Sequence, residues 1–382
     1  MDFDPTSEQK LLRDSIVRFA RGELNHDVAG RDRAQAFSRE LWRQCGAVGL
    51  LGLPVPEEYG GTNADALSCA IALEALGYGC HDGGLVFSIC DHVLACVVPI
   101  WQHGNEAQKR RWLPGLCQGT LVGAHAITEA DSGSDTFAMR MRAQRTEGGW
   151  RLSGSKTFIS NAAEADVALV FAVTDADKGF HGGVTGFLVE RGTPGFSAGQ
   201  SFAKMGLRTA PVGELVFDDV CVADDAVLGS VGGGAGVFGT AMNWERALLV
   251  AAHVGTIERL LETSIAYART RTQFGQAIGK FQAVAHKIAD MKMHLEAARL
   301  LVYRTASRLT TSRGISLDAA ITKLFVSESL VKAALDAVQL HGGYGFMEEY
   351  DVERALRDAI GSTLYSGTSE MQRNIIARWL GL

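Results

Sequence analysis

Hydrophobic spacing divides the chain into three zones. Thr6-Ser7-Glu8-Gln9 has the form of a capping box, and Leu11, Leu12, Ser15, Ile16 and Phe19 follow at helical spacing. Residues 1–123 therefore read as helical, with Pro54, Pro56 and Gly60-Gly61 marking a long turn and Pro114-Gly115 closing the zone. Over 124–229 the period shortens. Val167–Val173 and Glu214–Phe217 are β-branched and aromatic runs, and Trp150–Gly154 alternates behind a Glu147-Gly148-Gly149 hairpin turn. Over 230–382 the helical period returns. Ala247, Val250, Val254, Ile257 and Leu261 form one stripe, and Phe281, Val284, Ile288, Met291, Leu295, Ala298 and Val302 form another. Paired stripes of this kind predict antiparallel bundle packing.

Proline placement supports the third zone. All seven prolines lie at or before Pro211, so the 171 residues after it contain no helix breaker except glycine. Length and apolar content (382 residues, 47% hydrophobic) provide for several cores and exclude intrinsic disorder. The net charge of −6 argues against nucleic-acid binding, which needs a basic face to replace phosphate counterions. Seven cysteines form no CxxC pair, which predicts buried small residues in a reducing, cytoplasmic setting and no zinc site. The polar start MDFDPTSEQK shows no signal or transit pattern, and the apolar runs look too short to span a membrane.

Gly234-Ala-Gly236-Val-Phe-Gly239 fits GxGxxG. A dinucleotide fingerprint needs a strand before it and a βαβ unit around it, and Leu228–Val231 is too broken to be that strand. The reading is a loop feeding the first bundle helix. Four other segments carry more chemistry. AITEADSGSD (126–135) brings small and hydroxyl residues to the start of the β-zone. Lys156–Asn161 sets Phe158 beside hydroxyls. Arg271-Thr-Gln-Phe-Gly275 reads as a helix end with glycine as terminator. Gln339–Gly345 and Tyr365–Gln372 place paired glycines and a Gly-Thr loop next to helices, where backbone approaches a ligand or an anion.

Together these segments resemble the acyl-CoA dehydrogenase family over essentially the whole chain. The resemblance rests on AITEADSGSD, KMGLRTAPVGELVFDDV (204–220), ARTRTQFGQAIGKFQAV (268–284), QLHGGYGFMEEYDVERALRDA (339–359) and YSGTSEMQRNIIAR (365–378). It implies an α+β multi-domain fold: an N-terminal helical domain, a middle β-domain and a C-terminal four-helix bundle. It also implies FAD bound without a Rossmann fold. His125, Ile127, Thr128 and Ser134, with Phe158, Ile159 and Ser160, would line the flavin ring, and Thr368 and Glu370 would touch the cofactor. Arg271, Phe274, Phe281, Gln282, Gln339, Gly342 and Gly343 would hold the ADP half from a neighbouring subunit, which implies a homotetramer or a dimer.

The reaction the resemblance implies removes an α-proton from a thioester and passes a β-hydride to flavin N5. The weakly acidic α-carbon needs a desolvated carboxylate, and the carbonyl needs donors. Many relatives place a Glu immediately before the last Gly-Thr; here that residue is Ser366. A minority branch, the isovaleryl-CoA and long-chain dehydrogenases, takes its Glu from the first bundle helix, and Glu245 matches that position. Taken alone, Glu245 reads as a solvated first-turn residue. The resemblance makes it the base, with the Ser366 N–H polarising the carbonyl and Ser134, Asn243, Arg246 and Gly367 along the thioester arm.

The main expectation is an acyl-CoA dehydrogenase passing electrons to an electron-transfer flavoprotein. The alternatives are the same chemistry on an acyl- or peptidyl-carrier-protein thioester, hinted at by GLRTAPVGEL and Trp244-Glu-Arg246, or a flavin monooxygenase or oxidase on the same fold. A non-catalytic helical assembly protein is a third class.

Overall fold

The computed structural model describes residues 5–312 and 314–382. The first helix, Ser7–Phe19, starts on the expected capping box: Gln9 N–H donates to Thr6 Oγ1 (3.2 Å), and Gln9 Oε1 accepts from the Thr6 N–H (3.0 Å). Helices then follow to Glu106–Cys117. Pro114 does not close the zone but sits inside that last helix. The chain leaves the helix instead at Gly119 (φ 74°), where Leu121 and Thr120 N–H groups return to the Gly115 carbonyl.

The expectation about apolar runs needs correcting. Gly83–His103 is a 21-residue helical run with a mean hydropathy of 1.8, long and apolar enough to cross a membrane. Nearly all of it is buried inside the protein, between the core of the helical zones and the core under the sheet. A wide π-turn at His92–Val97 divides it, a feature that often accompanies functional sites.

Eight strands follow: β1 (Gly123–Ala126), β2 (Arg142–Thr146), β3 (Gly149–Ser160), β4 (Val167–Val173), β5 (Val184–Glu190), β6 (Phe196–Ser201), β7 (Val212–Ala223) and β8 (Val227–Leu228). Their order is β6-β7-β3-β2-β4-β5-β8, with β1 parallel to β4. The β2–β3 hairpin turns at Glu147-Gly148 as the sequence predicts, with Gly148 at φ 75°. Opposite β7, β3 slips register between Lys156 and Ile159. That bulge puts Phe158 (φ 55°) in the left-handed region, so it leaves the sheet face and is 64% exposed; Asn161 (φ 63°) is left-handed just past the strand end.

The last zone holds Gly234–Thr270, Gln282–Arg308 and Ile315–His341, followed by the shorter Val352–Gly361 and Ser369–Trp379. The first stripe is buried throughout. In the second, Met291, Leu295, Ala298 and Val302 are buried, whereas Phe281, Val284 and Ile288 lie in the first turns and are only half covered. The GxGxxG glycines are not a loop. They form the first two turns of Gly234–Thr270, preceded by the two-residue β8, which pairs antiparallel with β5, so no βαβ unit exists there. Further along, this helix meets Ala66–Gly79 backbone to backbone. A Cβ on Gly77 would come within 1.9 Å of Ala252 O, and one on Gly255 within 2.0 Å of Glu74 O. The helix carrying Glu245 is thereby seated on the N-terminal zone.

Candidate active site

A cavity of about 670 Å³ opens where the three zones meet. Its walls come from the end of β1 and the loop after it, the β3 bulge, the 204–207 loop, the early turns of Gly234–Thr270, and the 364–368 loop. That volume suits a cofactor ring with part of a substrate.

Glu245 lies in the fourth turn of its helix and is 4% exposed, not solvated. Its Oε1 accepts from Ser366 Oγ at 2.6 Å. Burial pushes the Glu245 carboxyl up, while the Ser366 hydroxyl and the Arg246 and Lys323 charges oppose the rise. Burial and the Arg246 charge draw the Lys323 ammonium down to about 8.

The 366–367 loop is held from behind. Arg246 Nε donates to Ser366 O (2.9 Å), Lys323 Nζ to Gly367 O (2.8 Å), and Gln372 Nε2 to Gly367 O (2.8 Å) and Ser366 O (3.2 Å). Ser366 (φ 56°) and Gly367 (φ 87°) are both left-handed, and a Cβ on Gly367 would press Gln372 Nε2 at 2.9 Å. With both carbonyls engaged, the N–H groups of Ser366, Gly367 and Thr368 donate to no other group among the described residues. Thr368 caps the last helix, its Oγ1 accepting from Met371 N–H (3.3 Å). The loop thus presents unused donors and a helix N-terminus beside the cavity.

The opposite wall is set by Lys156, wholly buried, whose Nζ donates to Ile127 O (3.0 Å) and Glu129 Oε1 (2.8 Å). This pins the loop carrying Ile127, Thr128 and Ser134 against the β3 bulge, where Thr157 N–H donates to Thr128 O (2.9 Å). His125 faces the cavity beside Phe238 (centroids 6.1 Å). Its Nε2 is buried without a partner among the described residues, and burial draws the imidazole down to about 4, leaving it neutral at pH 7. Exposed Phe158, the hydroxyls, the idle N–H groups and this orphan nitrogen suit a flat ring with polar edges.

Of the residues picked from sequence, His125, Ile127, Thr128, Ser134, Phe158, Ile159, Ser160, Glu245, Arg246, Ser366, Gly367 and Thr368 line this one cavity. Asn243 does not line it; its Oδ1 accepts from Ser316 Oγ (2.9 Å). Glu370 is exposed on the first turn of Ser369–Trp379. Arg271, Gly342 and Gly343 line a separate cavity of about 440 Å³, where the Arg271 guanidinium lies 5.6 Å from the Tyr344 ring centroid. Phe274 is 93% exposed beside Phe281, and Gln282 and Gln339 are exposed. Gly275 does not end the helix before it. Arg271 itself is the extended C-cap, and Gly275 (φ 79°) turns the small Thr272–Gln273/Gln276–Ala277 hairpin.

Sequence reasoning gave no role to Lys323, mid-helix and outside every motif, or to Gln372, in the first turn of Ser369–Trp379 at the end of the Tyr365–Gln372 segment; both brace the 366–367 loop. It also missed Asp91, 8% exposed at the cavity wall. The available signal was an ionisable residue within an otherwise apolar run.

Comparison with known proteins agrees with this arrangement. The descriptions "Acyl-CoA dehydrogenase" N-terminal, middle and C-terminal domain match residues 6–120, 124–220 and 232–381. An L-prolyl-(peptidyl-carrier protein) dehydrogenase of Serratia sp. is 42% identical over 382 residues, covering 100% of this chain and 99% of the relative. The crystal structure of the prolyl acyl carrier protein oxidase AnaB superposes with a TM-score of 0.97 at 42% identity, over 99% of this chain and 100% of that one. PigA with FAD and proline superposes with a TM-score of 0.97 at 41% identity, over 100% of both chains. The chain belongs to the acyl-CoA dehydrogenase family.

Proposed function

We propose that this protein dehydrogenates an aminoacyl thioester, L-prolyl on a peptidyl-carrier protein, with FAD as its cofactor. The observation that carries the substrate is the full-length 42% match to an L-prolyl-(peptidyl-carrier protein) dehydrogenase, joined to a cavity in which Glu245 is the buried carboxylate beside the 366–368 loop. The carrier-bound alternative is thereby better supported than the coenzyme A thioester expected first.

The residues lining the cavity would hold FAD, which would supply the acceptor for the hydride leaving the β-carbon. Glu245 takes the α-proton onto a carboxylate that burial has made more basic than in water. Ser366 Oγ fixes that carboxylate, and Arg246, Lys323 and Gln372 hold the loop so that its N–H groups remain free for the thioester oxygen. Phe158 and the hydroxyls of Thr128, Ser134 and Ser160 suit the ring and its polar edges. The separate Arg271 cavity and the exposed Phe274 support a subunit boundary at which a neighbouring copy completes the cofactor site.

Electrons then pass to an electron-transfer flavoprotein. The AnaB neighbour, named an oxidase, favours a second reading in which oxygen takes them. Mass spectrometry of the carrier-bound acyl group after anaerobic incubation tests the substrate: the prolyl group should lose two hydrogens. An unchanged prolyl group, with acyl-CoA thioesters oxidised instead, overturns the reading.

A further inference from the structure

We infer that Asp91 is a substrate-binding residue that seats the cationic ring nitrogen of the aminoacyl group. The inference rests on the aminoacyl reading above and says how this cavity recognises that class of substrate.

Asp91 ends the apolar helical segment Gly83–Asp91, immediately before the π-turn. Its carboxyl lines the same cavity as Glu245, and its Oδ2 is buried with no hydrogen-bond partner among the described residues. Burial, with the Glu245 charge adding, pushes the Asp91 carboxyl well up, and no lysine or arginine among the described residues offsets it. The groups around the pair are Cys90 and Cys96 on its own helical run and Tyr365 on the facing loop. The Tyr365 hydroxyl is already spent on His253 Nε2 (2.8 Å). Arg246 and Lys323 bear on Glu245 and are committed to the 366–367 carbonyls.

Two carboxyls facing one apolar cavity repel each other, and an unpaired buried one weakens the fold. A bound cation reverses both effects. In a prolyl thioester the ring nitrogen is bonded to the same α-carbon whose proton Glu245 removes. A carboxylate in the electrostatic range of Glu245 is thus placed for that nitrogen, with the Phe87 ring lining the cavity beside it. An aliphatic acyl group offers no such partner and leaves Asp91 unpaired.

The test compares L-prolyl and cyclopentanecarbonyl thioesters on the same carrier, read as flavin bleaching by the FAD-loaded protein. The two rings differ by one N–H group. Wild type should prefer the prolyl thioester by about tenfold or more. Asp91→Asn, nearly isosteric, should lower the ratio of prolyl to cyclopentanecarbonyl kcat/KM by about 10- to 100-fold, a ratio from which any change in Glu245 itself, common to both rings, cancels. Wild type that treats both rings alike overturns the inference without any variant, as does an equal fall for both rings in Asp91→Asn or no fall at all. If neither thioester bleaches wild type, the aminoacyl reading itself fails and takes this inference with it. If the prolyl thioester bleaches wild type and Asp91→Asn alike, only the role of Asp91 fails.

Discussion

Ser366 stands where the resemblance puts the base of many relatives, and its hydroxyl donates to Glu245, the carboxylate proposed as base here. Ser366→Ala removes the 2.6 Å hydrogen bond to Glu245 Oε1 while keeping the backbone N–H, and alanine has no greater difficulty than serine at φ 56°. A hydrogen bond to a charged partner contributes about 1.5–3 kcal/mol, and about 1.36 kcal/mol corresponds to one pH unit. The donor favours the ionised carboxylate, so its loss adds to the upward push of burial. The acid limb of the flavin-reduction rate should therefore move up by about one to two pH units, with the high-pH plateau largely kept. Anaerobic stopped-flow bleaching from acid to alkaline pH reads both. A limb that stays in place, or moves down, refutes the coupling between Ser366 and Glu245.

Two further outcomes follow. Glu245→Gln keeps the cavity shape and should retain FAD, seen as an unchanged flavin spectrum, while losing about 10²- to 10⁴-fold in bleaching rate; near wild-type bleaching would remove Glu245 as the base. Burial, with the Asp32 and Asp82 carboxyls adding, raises Asp358 from 3.8 to about 7. The stability tied to its neutral form is complete below pH 3.8 and is lost as pH rises toward 7. Wild-type Tm should thus fall relative to Asp358→Asn across that range, and a difference independent of pH would contradict it.

How much of this could be read in advance depended on the kind of signal. Period changes near 124 and 230 gave the order of helices, sheet and helices, because one-sided burial imposes spacing directly on the sequence. The Glu147-Gly148 hairpin was legible for the same local reason. Pro114 misled because a proline costs the helix one bond to the turn before it without ending it: the Gln118 N–H still donates to Pro114 O. The Gly83–His103 run was overlooked because Asp91 and His92 interrupt its apolar character, yet burial on all sides keeps it helical. The GxGxxG stretch is no dinucleotide fingerprint, but its glycines begin a helix whose later turns supply the packing energy. At the site, motif-borne residues such as Thr128, Phe158 and Thr368 were accessible. The bulge that re-aims Phe158 depends on pairing with β7, and the bracing by Lys323 depends on helix packing. Tertiary contacts of that kind leave no local pattern.

The central claim is that this cavity oxidises a carrier-bound aminoacyl group and that Glu245 starts the reaction. The direct measurement is anaerobic mixing of the FAD-loaded protein with L-prolyl-carrier thioester, protonated or deuterated at the α-carbon, beside straight-chain acyl-CoA thioesters. The account predicts rapid bleaching by the prolyl-carrier thioester, slowed by α-deuteration, and little or none by the acyl-CoA series. Bleaching by an acyl-CoA with silence from the prolyl-carrier thioester would contradict it.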